Sequence, residues 1–278
     1  MMGLAFPCLE ILQLETSTAC NMNCHYCDYH HDSCVAYNYQ MPLPLVEKIV
    51  SQLEECETVR RVQPWLAGEP LLEPRMPEIV EIVRKYCRDA EIVFFTNATV
   101  YEKRDMLMLA DQVEVTVSAA TPETYMRVHG KPYLDRVVKT VEWLEAQPNH
   151  PEIHLRIVLT ERNLHELEAW RRQWSRFERF ENVATGLLAN KWRPAAGLEL
   201  NSEVKQVREG RFSQQGRAPC LFWNLAAVNV FGDLYQCCSA VNNIHGNLNR
   251  MSFEEAWRRR VASGRNTETC RVCPVRVY

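Results

Sequence analysis

No stretch of the 278 residues stays apolar for the roughly 20 positions that a membrane-crossing helix requires. The start, Met1 to Pro7, also lacks the basic segment and long apolar run of a secretion signal. Both absences lead us to expect a soluble, cytoplasmic protein with no membrane partner. Excess charge of one sign is missing too: 32 Lys and Arg stand against 35 Asp and Glu, a net charge of -3. That balance gives no electrostatic footprint for nucleic acid. The one basic cluster, Arg258-Arg259-Arg260 with Arg265 and Arg271 nearby, reads as the solvated face of a C-terminal helix.

Cysteine, by contrast, is abundant. Twelve cysteines in a chain without a secretory signal argue for metal or redox work rather than a disulfide framework. Three of them fall within eight residues, Cys20-Asn-Met-Asn-Cys24-His-Tyr-Cys27, directly after the strand-like run Leu9 to Glu15. Three thiolates on one short loop converge on a soft centre, and the asymmetric spacing fits an iron-sulfur cluster or an incomplete zinc site. For zinc, a Cys3His set would take His25, His30 or His31 as fourth ligand. A four-iron cluster on three cysteines instead leaves one iron open to a ligand.

This spacing, with Tyr26 just before the third cysteine, resembles the signature of the radical S-adenosylmethionine (radical SAM) superfamily. The resemblance implies that Cys20, Cys24 and Cys27 hold a 4Fe-4S cluster whose open iron chelates S-adenosylmethionine, with Tyr26 near the adenine. Cleavage of that cofactor would give a 5'-deoxyadenosyl radical that takes a hydrogen atom from substrate. The cofactor carries the hard chemistry, and the protein positions the reactants and excludes water.

Apolar periodicity alternates between strand and helix along the chain. Helical patterns run through Leu45–Leu53, Met76–Tyr86, Met106–Ala110, Tyr133–Ala146 and Leu164–Phe177; strands are expected at Val59–Leu66, Ile92–Thr96, Val113–Ser118, Ile153–Leu159 and Val183–Leu187. Six such units predict a parallel α/β sheet, open or closed into a partial (β/α)6 barrel, with ligands at the carboxyl ends of the strands. The cysteine loop, Gly68-Glu69-Pro70, Thr96-Asn97 and Ser118 all fall at such ends. Gly68-Glu69-Pro70 resembles the family's Gly-Glu-Pro shelf under the cofactor amino group, where glycine allows positive φ and close backbone approach. Thr96-Asn97-Ala98 resembles its Thr-Asn-Gly, and Ser118 opens a stretch like its Ser-x-Asp-Gly, with alanines replacing the aspartate and glycine. Thr121-Pro122-Glu123 reads as a helix start. Arg156 lies on the strand face opposite Ile153, Leu155 and Ile157, where it is either a clamp for the cofactor carboxylate or an ordinary exposed arginine.

Periodicity lapses between 190 and 219, so we expect a barrel domain over 1–189, a linker or substrate loop over 190–219, and a small domain over 220–278. Gly232-Asp233 between two apolar alternating runs signals a hairpin, which would bring Cys220 and Cys237 together; Cys270-x-x-Cys273 completes a four-cysteine set. A zinc ribbon is one reading of that set. The other is the shortened auxiliary-cluster domain called twitch, which the spacing from Cys220 through Gly232 to Cys237 and the run Phe253-Glu-Glu-Ala-Trp257 resemble. The resemblance implies a second 4Fe-4S cluster on Cys220, Cys237, Cys270 and Cys273, fully ligated and suited to electron transfer. The Gly-Glu-Pro-Leu-Leu and Asn224-Leu-Ala-Ala-Val stretches resemble the aminocyclitol-dehydrogenase type of twitch enzyme.

Five cysteines remain: Cys8, Cys34, Cys56, Cys87 and Cys238. Cys56 and Cys87, at predicted helix ends, read as core residues. Cys238 is expected to point away from Cys237 on a strand, and Cys34 lies beyond the first cluster loop. Either thiol would serve as hydrogen-atom donor in an epimerase. Without a donor, a carbinol radical on a sugar or aminocyclitol would pass its electron to the second cluster and become a ketone. The expected partners are a small-molecule substrate and an external electron donor of flavodoxin or ferredoxin type. A ribosomal-peptide maturase and a non-catalytic metal-binding protein are the alternatives, the first weakened because the cluster motif begins at residue 20 and leaves no room for a peptide-recognition domain.

Overall fold

The computed structural model describes residues 9–27, 38–183, 223–238 and 243–264. Among these residues the strands form one nine-stranded sheet in the order β6-β5-β4-β3-β2-β1-β7-β8-β9. The first six strands are β1 (Ile11–Leu14), β2 (Arg61–Gln63), β3 (Glu91–Thr96), β4 (Gln112–Thr116), β5 (Glu152–Leu159) and β6 (Glu178–Val183), each parallel to its neighbours. Helices α1 (Leu43–Ser51), α2 (Met76–Tyr86), α3 (Pro122–His129), α4 (Leu134–Glu145) and α5 (Leu167–Gln173) fill the crossovers, and the result is a partial (β/α)6 barrel.

Alternation within each strand sorts the side chains onto two faces. Leu12 and Leu14, Val62, Ile92 and Phe94, Val113 and Val115, and Ile153, Leu155 and Ile157 join the core with the helices. Each helix contributes an apolar stripe to it, as Met76, Ile79, Val80 and Val83 do from α2. The other face carries Gln13, Gln63, Glu114, His154 and Arg156, so the concave side of the barrel is polar.

Several boundaries differ from the sequence expectation. The second strand shrinks to three residues, and Tyr101–Leu109 forms 3-10 turns kinked at Lys103 rather than an α-helix. The Leu164–Phe177 pattern splits into a 3-10 turn and α5. The sixth strand lies upstream of Val183–Leu187, because pairing with β5 aligns His154 with Glu178 and Leu159 with Val183. An edge strand is held by backbone bonds on one side, so its sequence, Glu-Arg-Phe-Glu-Asn-Val, need not be apolar.

The C-terminal hairpin is present as β7 (Leu225–Val228) and β8 (Asp233–Tyr235), turning at Gly232 with φ 84°, and is followed by β9 (Ile244–Asn247) and α6 (Phe253–Ser263). β7 also pairs in parallel with β1, Gln13 facing Ala227, so hairpin and barrel share one sheet. The solvated reading of Arg258-Arg259-Arg260 holds for two of the three. Arg258 and Arg259 make exposed ion pairs with Glu254 and Glu255, whereas Arg260 is 1% exposed, donates to the carbonyls of Trp223 and Gln236, and stacks on Trp257. A helical repeat brings every third or fourth residue inward, and position 260 falls on the stripe of Phe253, Ala256 and Trp257.

Candidate functional site

The cysteine loop leaves β1 and is gripped by the C-terminus of α3. Unsatisfied carbonyls at a helix end are ready acceptors, and here those of Val128 and His129 accept from the N–H groups of His25 and Asn23 at 3.0 and 3.2 Å. Gly130 ends α3 at φ 72°, where a Cβ would stand 2.6 Å from the Asn23 carbonyl oxygen. His129 lies fully buried beneath the loop, with Nδ1 3.1 Å from Cys24 Sγ. Its Nε2 accepts the Ser118 N–H at 3.0 Å, so the ring proton resides on Nδ1 and is donated to the sulfur. Burial pushes the His129 pKa down to about 3, which keeps the ring neutral.

Burial, then the nearby Glu69 carboxylate, pushes the Cys20 thiol up to about 12; burial and then Cys27 and Cys20 push Cys24 further up. Three thiolates side by side are therefore unfavourable without a cationic guest. Among the described residues, the donor triplet whose ligand atoms all lie within 4.8 Å of one another is Glu152, His154 and Glu178, at the opposite end of the sheet. The Cys20, Cys24 and Cys27 sulfurs are not all within 4.8 Å of one another, whereas three sulfurs on one tetrahedral zinc would stand roughly 3.8 Å apart. Three soft sulfur donors on one loop suit a multi-iron cluster.

The shelf beside the loop is tightly tied. Glu69, 3% exposed, accepts from Thr96 Oγ1 at 2.6 Å, from the Asn97 N–H at 2.8 Å and from the Leu71 N–H at 3.1 Å, so its carboxylate joins the ends of β2 and β3. Burial raises its pKa to about 7. Gly68 backs onto the loop itself, where an added Cβ would meet the Ser17 carbonyl oxygen at 2.3 Å; close approach rather than positive φ is what requires glycine. Pro70 opens a 3-10 turn that Glu69 caps. Asn97 Nδ2 donates to Asn21 Oδ1 at 3.0 Å, which places Asn97 against the cysteine loop. Tyr26 packs edge-on against His129, and burial followed by the Cys24 charge drives its pKa well up. Ser118 is fully buried, its Oγ accepting the Val158 N–H and its carbonyl accepting from Asn163. Thr121 caps α3 with Pro122 at its start, as expected.

Arg156 faces the lumen, where its guanidinium pairs with Glu114 at 2.7 Å and lies over Phe95 at 4.5 Å. Trp65 stacks on Phe95 at 4.6 Å. Around this cluster Gln13 Oε1, Gln63 Oε1, Trp65 Nε1 and Arg156 Nε are buried without a hydrogen-bond partner among the described residues. Cys237 is buried and Cys238 half-buried just past β8, not on it. Because β8 runs antiparallel to β7, which is parallel to β1, this pair lies toward the end of the sheet away from the Cys20 loop. Cys34, Cys220, Cys270 and Cys273 lie outside the described residues.

The model of the Radical SAM superfamily matches residues 14–172, more than half of the chain. The chain belongs to that superfamily. Among curated proteins it is 28% identical over 174 residues to a "Probable GTP 3',8-cyclase" of Methanothermobacter marburgensis, covering 61% of this chain and 53% of that protein. A protein of the same name from Methanothermobacter thermautotrophicus is 31% identical over 130 residues, covering 45% and 41%. The chain thus spans about half the length of these curated relatives. Among solved structures, native anSMEcpe with bound AdoMet superposes with a TM-score of 0.67 at 18% identity, covering 95% of this chain and 86% of that one. BtrN in complex with AdoMet and 2-DOIA gives 0.53 at 16% identity, covering 95% and 84%. These similarities show the fold.

Radical SAM membership implies a 4Fe-4S cluster and S-adenosylmethionine, and the three soft sulfur donors on the loop after β1 fit the first. The sequence pattern does not single out His129, Glu114 or the lumen glutamines. His129 sits at the end of the Ser118 stretch, on the helix that grips the loop; a histidine one position before a helix-ending glycine is the only local mark it carries.

Proposed function

We propose that the chain is a two-cluster radical SAM oxidoreductase acting on a carbinol C–H of a small polyhydroxylated ring of the sugar or aminocyclitol kind. Cys20, Cys24 and Cys27 would hold the cluster, which with S-adenosylmethionine would supply hydrogen-atom abstraction by a 5'-deoxyadenosyl radical. Gly68, Glu69, Thr96, Asn97, Ser118 and Tyr26 form the cofactor side. The observation that carries the substrate class is the lumen beneath it. The unpartnered oxygens of Gln13 and Gln63 accept hydroxyl or ammonium protons, the Trp65 N–H donates, and the Arg156 charge is offset by Glu114. Buried polar groups of this kind call for a polar ligand.

The Cys237–Cys238 end lies across the sheet from the radical source. That arrangement supports a second cluster, which Cys220, Cys237, Cys270 and Cys273 would hold and which would supply an acceptor for the electron released when a carbinol radical loses its hydroxyl proton and becomes a ketone. Half-buried Cys238 at the same end supports epimerisation by hydrogen-atom donation as the second reading, with Cys34 as the other candidate thiol. A guanosine triphosphate substrate, suggested by the names of the curated relatives, calls for unpaired cations, and the described lumen offers none beyond the Arg156–Glu114 pair. The external reductant is a flavodoxin or ferredoxin.

Anaerobic protein with dithionite and S-adenosylmethionine, offered a panel of aminocyclitols, hexoses and GTP, tests this. The expected result is 5'-deoxyadenosine together with a product two hydrogens lighter; an isomer carrying solvent deuterium would establish epimerisation, and turnover of GTP alone would overturn the reading. Iron and sulfide should match two clusters, falling to one when Cys20, Cys24 and Cys27 are changed together to alanine.

A further inference from the structure

Cys24 Sγ lies against the ring of His129, both of whose nitrogens are engaged. His129 is stacked on Tyr125 at 4.3 Å and meets Tyr26 edge-on at 5.9 Å, so it cannot swing away. The Ser118 amide fixes which nitrogen carries the proton. The proton then points at Cys24 Sγ across 3.1 Å in a site where the histidine is 1% exposed. Water does not compete there, and a fixed dipole in a low-dielectric site acts strongly on a nearby charge.

We propose that His129 is a positioning residue that sets the reduction potential of the cluster held by Cys20, Cys24 and Cys27. Reduction adds one negative charge to the cluster, shared with its thiolate sulfurs. The Nδ1–H dipole aimed at Cys24 Sγ stabilises that added charge, and hydrogen bonds to cluster sulfurs raise the potential. The same contact also links the cluster to the barrel, since Ser118 lies two residues past β4 and its carbonyl and hydroxyl are held by Asn163 and Val158. The inference rests on the assignment of the cluster to these three cysteines.

The test is an anaerobic redox titration of the cluster-loaded protein, followed by the electron paramagnetic resonance signal of the reduced first cluster. His129→Phe keeps the ring and removes the donor. It is expected to shift the reduction equilibrium about tenfold toward the oxidised form, about 59 mV downward for one electron. His129→Asn, whose amide reaches the position of Nδ1, is expected to restore most of that shift. A His129→Phe protein with full iron and sulfide and an unchanged potential overturns the proposal. Should that variant fail to load, wild-type protein labelled with 15N-histidine decides instead: the reduced cluster is expected to show a nitrogen coupling and a proton coupling that disappears in deuterated water, and their absence overturns the proposal. Protein that binds no iron and sulfide at the three cysteines sinks the cluster assignment itself, a separate outcome.

Discussion

A single methyl group at position 68 tests whether the shelf and the cysteine loop form one rigid unit. In Gly68→Ala the added Cβ would stand 2.3 Å from the Ser17 carbonyl oxygen, 3.0 Å from that of Ala19 and 3.1 Å from the Ser17 carbonyl carbon. All three are backbone atoms, so no rotamer change relieves the contact, and the two segments must part by roughly 1 Å. Overpacking of this kind costs about 1–3 kcal/mol. The neighbouring Glu69 N–H to Ala19 carbonyl bond, 2.6 Å long, is strained by the same movement and its weakening adds about 1 kcal/mol. For a chain of this size each kcal/mol lowers the melting temperature by about 2–4 °C. The expected loss in anaerobic thermal denaturation is therefore roughly 5–15 °C. Because a 1 Å misplacement of reacting groups costs on the order of 100-fold in rate, 5'-deoxyadenosine formation should fall by about that factor. Gly246→Ala is the control. There the added Cβ meets the flexible Met251 thioether, which can turn away, and the Ala256 Cβ at 3.1 Å, which must give by a few tenths of an ångström, so a smaller cost of about 1 kcal/mol is expected. A Gly68→Ala protein with wild-type melting and turnover would refute the argument that close backbone approach, and not chance, fixes glycine here.

Glu69→Gln should change the pH dependence of stability. With its folded pKa raised to about 7 by burial, the Glu69 carboxyl contributes stability that is complete below its ordinary value near 4.5 and is lost as pH rises through 7. By linkage that difference is worth on the order of 3 kcal/mol. Urea midpoints of wild type and Glu69→Gln should therefore converge or cross between pH 4.5 and 7.5, and parallel curves would contradict the assignment. Arg260→Met removes the donor to two carbonyls, those of Trp223 and Gln236, while keeping much of the apolar stem. Leaving such acceptors unpaired costs about 1–3 kcal/mol, so hydrogen exchange over β8 and α6 should accelerate by about 5- to 100-fold, with β3 and β4 unaffected.

Much of the site is legible in the local pattern of the chain. Cys20, Cys24 and Cys27, Gly68-Glu69-Pro70 and Thr96-Asn97 are each contiguous, and each falls at the end of an apolar alternating run. A parallel α/β fold necessarily brings such ends together, so local pattern and topology are enough to gather them. The partners of these side chains are not local. Glu69 is a joint between two strand ends, its oxygens occupied by Thr96, Asn97 and Leu71. Arg156 is paired with Glu114, 42 residues away in the sequence. Arg260, part of a basic run, is buried because a run of three charges spans nearly a full helical turn and one member must face inward.

The sequence by itself determined that this is a chain of alternating strands and helices with a three-cysteine loop at one strand end, because spacing and periodicity are local properties. Tertiary structure alone decided what surrounds that loop. The grip of α3 on it and the His129–Cys24 contact join residues 105 positions apart. The pairing of β7 with β1 puts the second cysteine pair at the far end of the same sheet. Which strand face lines the lumen follows from where the helices pack, and a period of two cannot reveal that. The physical reason is common to all three: hydrogen-bond direction and burial depend on which distant segments become neighbours, and a linear pattern does not contain that information.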